Sequence, residues 1–143
     1  MTPSITLTMI KPYAVQNGYT GPILAKINEA GFRIIAMKYL QLTLQQAQKF
    51  YKVHEGQKFY PRLTEFMSSG PIVAAILEKE NAVKDYRKLI GATDPRKAEE
   101  GTLRKLFGAS IDKNAVHGSD SDENAVLEAD FFFSELERFY FKD

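Results

Sequence analysis

The chain has no cysteine in 143 residues, which removes disulfides, thiolate nucleophiles and cysteine-based zinc sites together and fits a reducing compartment. Any nucleophile must be Ser, Thr, His, Lys or a carboxylate. An excess of one charge is also missing: 19 Lys+Arg against 18 Asp+Glu leave a net charge of +1, without the basicity that non-specific nucleic-acid binding needs. No apolar run approaches the roughly 20 residues of a membrane span, and the N-terminus lacks the basic and apolar regions of a secretory signal. A soluble, cytoplasmic protein is expected. There is no internal repeat and no low-complexity tract, and 44% apolar with 26% charged residues is an ordinary globular balance. The length suits a single domain over 1–143. Neither G-x-x-x-x-G-K-[ST] nor G-x-G-x-x-G occurs, so any bound phosphate must be held by side chains.

The residues present read as an alternation of strands and helices. Residues 4–10 alternate polar and β-favouring residues and stop at Lys11-Pro12, where proline ends a ladder. Residues 18–31 carry Pro22 near a helix start, Ile23, Leu24 and Ile27 at helical spacing, and a terminal Gly31. Residues 32–42 predict a strand with a bend or bulge, and Thr43 is placed to cap a helix beginning at Leu44. Residues 44–54 and 59–68 predict a helical hairpin, and the continuous apolar run 72–77 a central strand buried on both faces. A helix over 81–90 comes next, then a long loop over 92–112 with a helical turn or two, a short strand over 114–118 and a last helix to about Phe132. This order is the ferredoxin-like βαββαβ plan, an α+β fold: an antiparallel sheet covered by helices on one face, with a helical-hairpin insertion. The aromatic stretch 131–141 should dock on its own domain or on a neighbouring subunit.

Several residues suit phosphate chemistry. Lys11, Arg87 and Arg104 stand beside breaks or functional-looking loops, and arginine suits bidentate phosphate contact. His117 lies where a strand ends, before Gly118, which permits close backbone approach, and Ser119, whose hydroxyl can reach a phosphate or a ring nitrogen. Such a histidine is a base, a nucleophile or a metal ligand. Glu128, eleven residues on, can turn back from the final helix to accept the imidazole N–H. His54 has no comparable neighbours and reads as structural or solvent-facing, and two histidines without cysteine speak against a zinc site.

The stretch Asn114-Ala-Val-His117-Gly-Ser-Asp-Ser121 resembles the N-x-x-H-G-[ST]-D active-site motif of nucleoside diphosphate kinases. Four further segments match in order: Ile10-Lys11-Pro12 with Ala14-Val15, Gly70-Pro71, Gly91-Ala-Thr-Asp-Pro95 and Gly101-Thr-Leu-Arg104. The resemblance implies an enzyme that moves the γ-phosphate of ATP to a nucleoside diphosphate by a ping-pong route. Within it, His117 is the phosphate carrier, Glu128 the carboxylate that orients it, and Ser119 a support for that pair. It implies that Lys11, Tyr51, Arg87, Thr93, Arg104 and Asn114 bind phosphates and ribose. Phe59 would stack on the base, with Leu63 and Ile111 completing an apolar slot; stacking on a π-face accepts any base. It also implies Mg²⁺ held mainly by the nucleotide's phosphates, with no protein metal ligand, and a homo-oligomer, a hexamer rather than a tetramer or dimer.

The sequence departs from the family pattern in three places. Tyr13 stands where Asp usually follows Lys-Pro, Glu100 where proline is common, and Lys105-Leu106 where Gly-Asp is usual. The first touches the packing around Lys11; the others fall in a loop used for assembly in hexameric members. Two rival readings are a catalytically degenerate binding relative and an RNA-binding sheet. All matched phosphate-handling positions are present, against the first, and the net charge of +1 and the apolar central strand speak against the second.

Overall fold

The computed structural model describes residues 4–142. Strand β1 (Ser4–Ile10) pairs antiparallel with β3 (Ile72–Lys79) on one side and with β4 (Val116–Gly118) on the other, and β2 (Arg33–Leu40) pairs antiparallel with β3. The sheet order is β2-β3-β1-β4, which leaves β4 at an edge. Helix α1 (Pro12–Gln16) follows β1, α2 (Thr20–Glu29) leads to β2, and α3 (Leu44–Phe50) and α4 (Tyr60–Met67) form the hairpin. Helix α5 (Ala82–Ile90) follows β3, α6 (Leu103–Phe107) lies in the long loop, and α7 (Asp122–Phe132) closes the domain.

Strand β3 explains the core. Its side chains point alternately to opposite faces, so Ile72, Ala74 and Ile76 join Leu7 and Met9, whereas Val73, Ala75 and Leu77 join Ile10. The second group is covered by Ile23 and Ile27 of α2 and by Ala82, Tyr86 and Ile90 of α5. The first group is covered by Ala47 of α3, Met67 of α4, and Ala129 and Phe132 of α7. The cover on a single face expected from the element order is therefore corrected: the hairpin and the last helix each carry an apolar stripe, and both bury it on the opposite face. Full burial of a Leu, Ile or Met side chain contributes about 1.5–3 kcal/mol, so neither face can be left wet.

Local chemistry sets the boundaries. Thr43 and Gln46 form a reciprocal capping box at α3, Thr102 caps α6, and Ser121 caps α7 by accepting the Asn124 N–H at 3.1 Å. The five-residue α1, which is absent from the sequence-based expectation, starts with Pro12 at its first position, where a missing N–H costs nothing. The expected irregularity in β2 is a bulge at Ile35, which has no partner in β3 between Ile34 and Ala36. The loop 92–112 holds a 3₁₀ turn over Pro95–Lys97 besides α6.

The aromatic stretch divides. Phe132 and Phe133 enter the core, and after a 3₁₀ turn over Glu135–Glu137 the Phe139 N–H donates to the Ile35 carbonyl at 2.8 Å. Lys38 fastens the turn by donating to the Phe132 carbonyl at 2.6 Å and pairing with Glu137 at 2.9 Å. Leu136, Phe139, Tyr140 and Phe141 keep their side chains exposed, as do Met37 and Tyr39 of β2. Among the described residues no helix is long and apolar enough to cross a membrane.

Candidate active site

His117 sits on a three-residue edge strand entered by a tight turn. The Val116 N–H donates to the Asn114 carbonyl at 3.0 Å across Ala115, whose φ is +78°, a γ-turn conformation. A non-glycine residue there stores on the order of 1–3 kcal/mol of strain, which surrounding contacts must offset. Ala115 is fully buried, and its carbonyl accepts the Lys11 N–H at 2.9 Å, so the end of β1 is fastened to the segment carrying His117.

The imidazole is held from one side. Nε2 of His117 lies 2.8 Å from Oε1 of Glu128 on α7, and the Ser119 hydroxyl donates to the same oxygen at 2.8 Å. Ser119 in turn accepts the Leu7 N–H at 3.0 Å. Its single proton is thus spent on the carboxylate and not on the ring. With Nε2–H donated to Glu128, the neutral tautomer leaves the Nδ1 lone pair free. Phe50 sets its edge against the ring at 5.5 Å between centroids, and Tyr51 lies perpendicular to it at 6.4 Å.

Cations gather behind this pair. Arg104 donates to the Gly91 carbonyl at 3.0 Å and to the Val116 carbonyl, one residue before His117, at 2.9 Å. Burial pulls its guanidinium down to about 10, with Arg87 adding to the fall and the Tyr86 and Tyr51 hydroxyls opposing it. Lys11 is buried beside Arg104 and Asp112; burial first, then Arg104, draws its ammonium down to about 7, against the pull of Asp112. Burial and the Glu128 charge push the Tyr51 phenol up. Three buried polar atoms here have no hydrogen-bond partner: Tyr51 Oη, Arg104 Nε and Asn114 Oδ1. Buried groups of this kind are normally satisfied, and these three lie close to the His117 segment. The Asn114 amide is aimed by a 3.2 Å bond to the Thr93 carbonyl.

The remaining residues divide between two cavities and a rim. His117, Tyr51 and Glu128 line one cavity of about 430 Å³, whereas Arg87, Thr93 and Arg104 line another of about 650 Å³. The larger cavity lacks His117; Arg104 links the two through its bond to the Val116 carbonyl. Phe59 and Ile111 are exposed and line neither, and Leu63 is half-buried against the core. Their segments meet through an Arg62–Asp112 ion pair at 2.9 Å. The Tyr13 departure leaves Lys11 buried: Tyr13 is half-buried in α1, with the Lys113 ammonium 5.5 Å from its ring centroid.

A family model described as "Nucleoside diphosphate kinase" matches residues 4–138. The chain belongs to the nucleoside diphosphate kinase family. That family comprises phosphotransferases that move the γ-phosphate of a nucleoside triphosphate to a nucleoside diphosphate by a ping-pong route. A nucleoside diphosphate kinase of Flavobacterium psychrophilum is 60% identical over 139 residues, 97% of this chain and 100% of that protein. One of Persephonella marina is 55% identical, over 92% of this chain and 94% of that protein. Among solved structures, the Aquifex aeolicus nucleoside diphosphate kinase superposes with a TM-score of 0.93 at 44% identity, covering 96% of this chain and 99% of that one. A halophilic nucleoside diphosphate kinase from Halobacterium salinarum in complex with CDP gives 0.94 at 30% identity, covering 99% and 95%.

Two residues near His117 escape a reading of the sequence. Phe50 carries no chemical signal; only the fold brings it to the imidazole. His54 lines the same cavity as His117, with its ring 5.3 Å from Phe59 and 6.4 Å from Tyr51. Its spacing three residues after Tyr51 was the available cue.

Proposed function

We propose that His117 is the transient phosphate carrier. In the first half-reaction Nδ1 attacks the γ-phosphorus of ATP or another nucleoside triphosphate, the N–P bond forms as the bond to the bridging oxygen breaks, and the nucleoside diphosphate leaves. In the second, a β-phosphate oxygen of the acceptor attacks the same phosphorus and regenerates the imidazole. The observation that carries this reading is the Nε2–Glu128 bond at 2.8 Å, with the carboxylate itself held by Ser119. It leaves Nδ1 as the free nucleophile and sets a negative charge behind the ring as positive charge develops on it.

Lys11, Arg87 and Arg104 neutralise the moving phosphoryl group and its neighbours, with Tyr51, Thr93 and Asn114 as polar partners to phosphates and ribose. The orphaned atoms of Tyr51, Arg104 and Asn114 support this assignment. Phe59 stacks on the base, and Leu63 and Ile111 flank it. Among the described residues no three His, Asp or Glu side chains cluster to hold a metal, which fits a Mg²⁺ bound through the nucleotide. It would be held by the oxygens of the β- and γ-phosphates, where it supplies charge neutralisation. We read 1–143 as one domain, cytoplasmic in keeping with the absence of cysteine, and homo-oligomeric, with a hexamer favoured over a tetramer. The exposed Met37, Tyr39, Phe139, Tyr140 and Phe141 support self-association.

The test is labelling. With ATP and Mg²⁺ but no acceptor, each active chain should gain one phosphate on His117, lost in acid, kept in alkali and discharged by a nucleoside diphosphate. His117→Ala should abolish labelling and transfer while nucleotide binding persists. Acid-stable label, or label in that variant, refutes the mechanism.

A further inference from the structure

Behind His117, on the face of the sheet opposite Glu128, two hydroxyls form a buried chain. Tyr86 Oη and Thr8 Oγ1 lie 2.6 Å apart, and Thr8 Oγ1 donates to the His117 carbonyl at 2.9 Å. Both residues are fully buried. Thr8 has one proton and gives it to the carbonyl, so the Tyr86 phenol is the donor in the other bond. Burial pushes that phenol up, which keeps it protonated and able to donate. Donors in series polarise each other, so the bond reaching His117 is stronger than a lone hydroxyl bond.

The placement gives the chain a task. β4 is an edge strand of three residues, paired on one side only, with β1, and reached through the strained turn at Ala115. Next to His117, Gly118 lies so close to the Tyr86 ring that a Cβ on it would stand 3.0 Å from the ring carbon. Tyr86 itself precedes Arg87 on α5. The nucleophile's main chain is thereby braced from β1 and α5, and α5 also carries a phosphate-binding arginine of the proposed site.

We propose that Thr8 and Tyr86 are positioning residues for phosphoryl transfer, holding the His117 main chain at a fixed distance from the phosphate clamps through a two-hydroxyl relay. Neither touches substrate. In-line transfer tolerates little misplacement: a shift of about 1 Å at a reacting group can cost about a hundredfold in rate. The inference rests on His117 as the carrier.

The test is single-turnover phosphorylation of the full chain by ATP and Mg²⁺, read beside the ADP dissociation constant and the melting temperature. Thr8→Val keeps the shape and removes the hydroxyl; about a tenfold slower phosphorylation at saturating ATP is expected, a part of the cost of full misplacement, with ADP affinity within about twofold. Thr8→Ser should restore the rate. Tyr86→Phe should slow it by about threefold, and Thr8→Val with Tyr86→Phe should be no slower than Thr8→Val alone, because Tyr86 acts through Thr8. A lower melting temperature with an unchanged rate, failure of the serine variant to rescue, or a double variant slowed by the product of the two single effects overturns the relay. Should Thr8→Val fail to fold, Tyr86→Phe decides: a wild-type rate in it overturns the proposal. Acid-stable label on the wild type instead overturns the carrier assignment, so the two failures are distinct.

Discussion

Replacing Lys11 with Met should stabilise the empty protein while crippling transfer. The ammonium is buried with Arg104 beside it and only the Asp112 charge in its favour, which draws its pKa from 10.5 to about 7. Between those values the unfolded chain holds the proton and the folded chain does not, so folding stability rises with pH across that window. Below about 7 the charge is present in both states and the fold bears the whole cost. At 1.36 kcal/mol per decade, 10.5 − 7 = 3.5 decades set a ceiling of about 5 kcal/mol. Relaxation and water entry reduce such costs in real proteins, and about 2–3 kcal/mol is the expected gain for Lys11→Met at pH 6.5. The gain should shrink toward zero by about pH 10, where the lysine is neutral in the fold and, so near the unfolded value of 10.5, losing its proton costs little. Urea midpoints of both proteins, without nucleotide and at one protein concentration, read the difference. ADP should reverse the order, since its phosphates supply the missing anionic partner. A Lys11→Met protein less stable than wild type at pH 6.5, or a gain that does not fall with pH, refutes the reasoning.

Glu128→Gln should keep the fold yet slow His117 phosphorylation in rapid-quench experiments by about 10²-fold or more, because an amide cannot balance an imidazolium. Phe59→Ala should raise KM for purine and pyrimidine nucleotides alike, by a stacking loss of roughly 1–3 kcal/mol in steady-state assays across bases; an effect on one base alone would contradict the stacking role. Gly91→Ala should lower the melting temperature, since φ is +86° there and a Cβ would fall 2.6 Å from the Thr102 hydroxyl. The combined strain and clash amount to about 1–3 kcal/mol.

Strands β1 and β3 were legible because alternation over 4–10 follows the pleat, and the apolar run at 72–77 is short and preceded by Gly70-Pro71. Helix α1 was not, since Lys11-Pro12 ends a strand and begins a helix with the same two residues, and five residues hold no period. Which face a helix covers is a property of chain reversal in space, so the order of elements could not show α3, α4 and α7 opposite α2 and α5. At the site, the types of His117, Glu128 and Ser119 were readable, and their joint convergence on one carboxylate oxygen required α7 to fold back over β1. The left-handed φ of Ala115 was hidden because alanine gives no warning of it.

The bond from Phe139 to the bulged Ile35 bears on the protein's behaviour in crowded solution. An outer strand offers bare peptide groups to any extended chain that drifts past, the first step toward runaway strand stacking. Here the bulge twists that rim, and the segment after α7 lays its own backbone on the carbonyl released by the twist. At Ile35 this edge is therefore covered by the chain's own backbone. A chain cut after Phe133 would expose that carbonyl and should scatter light sooner on heating, before any change in its catalytic centre.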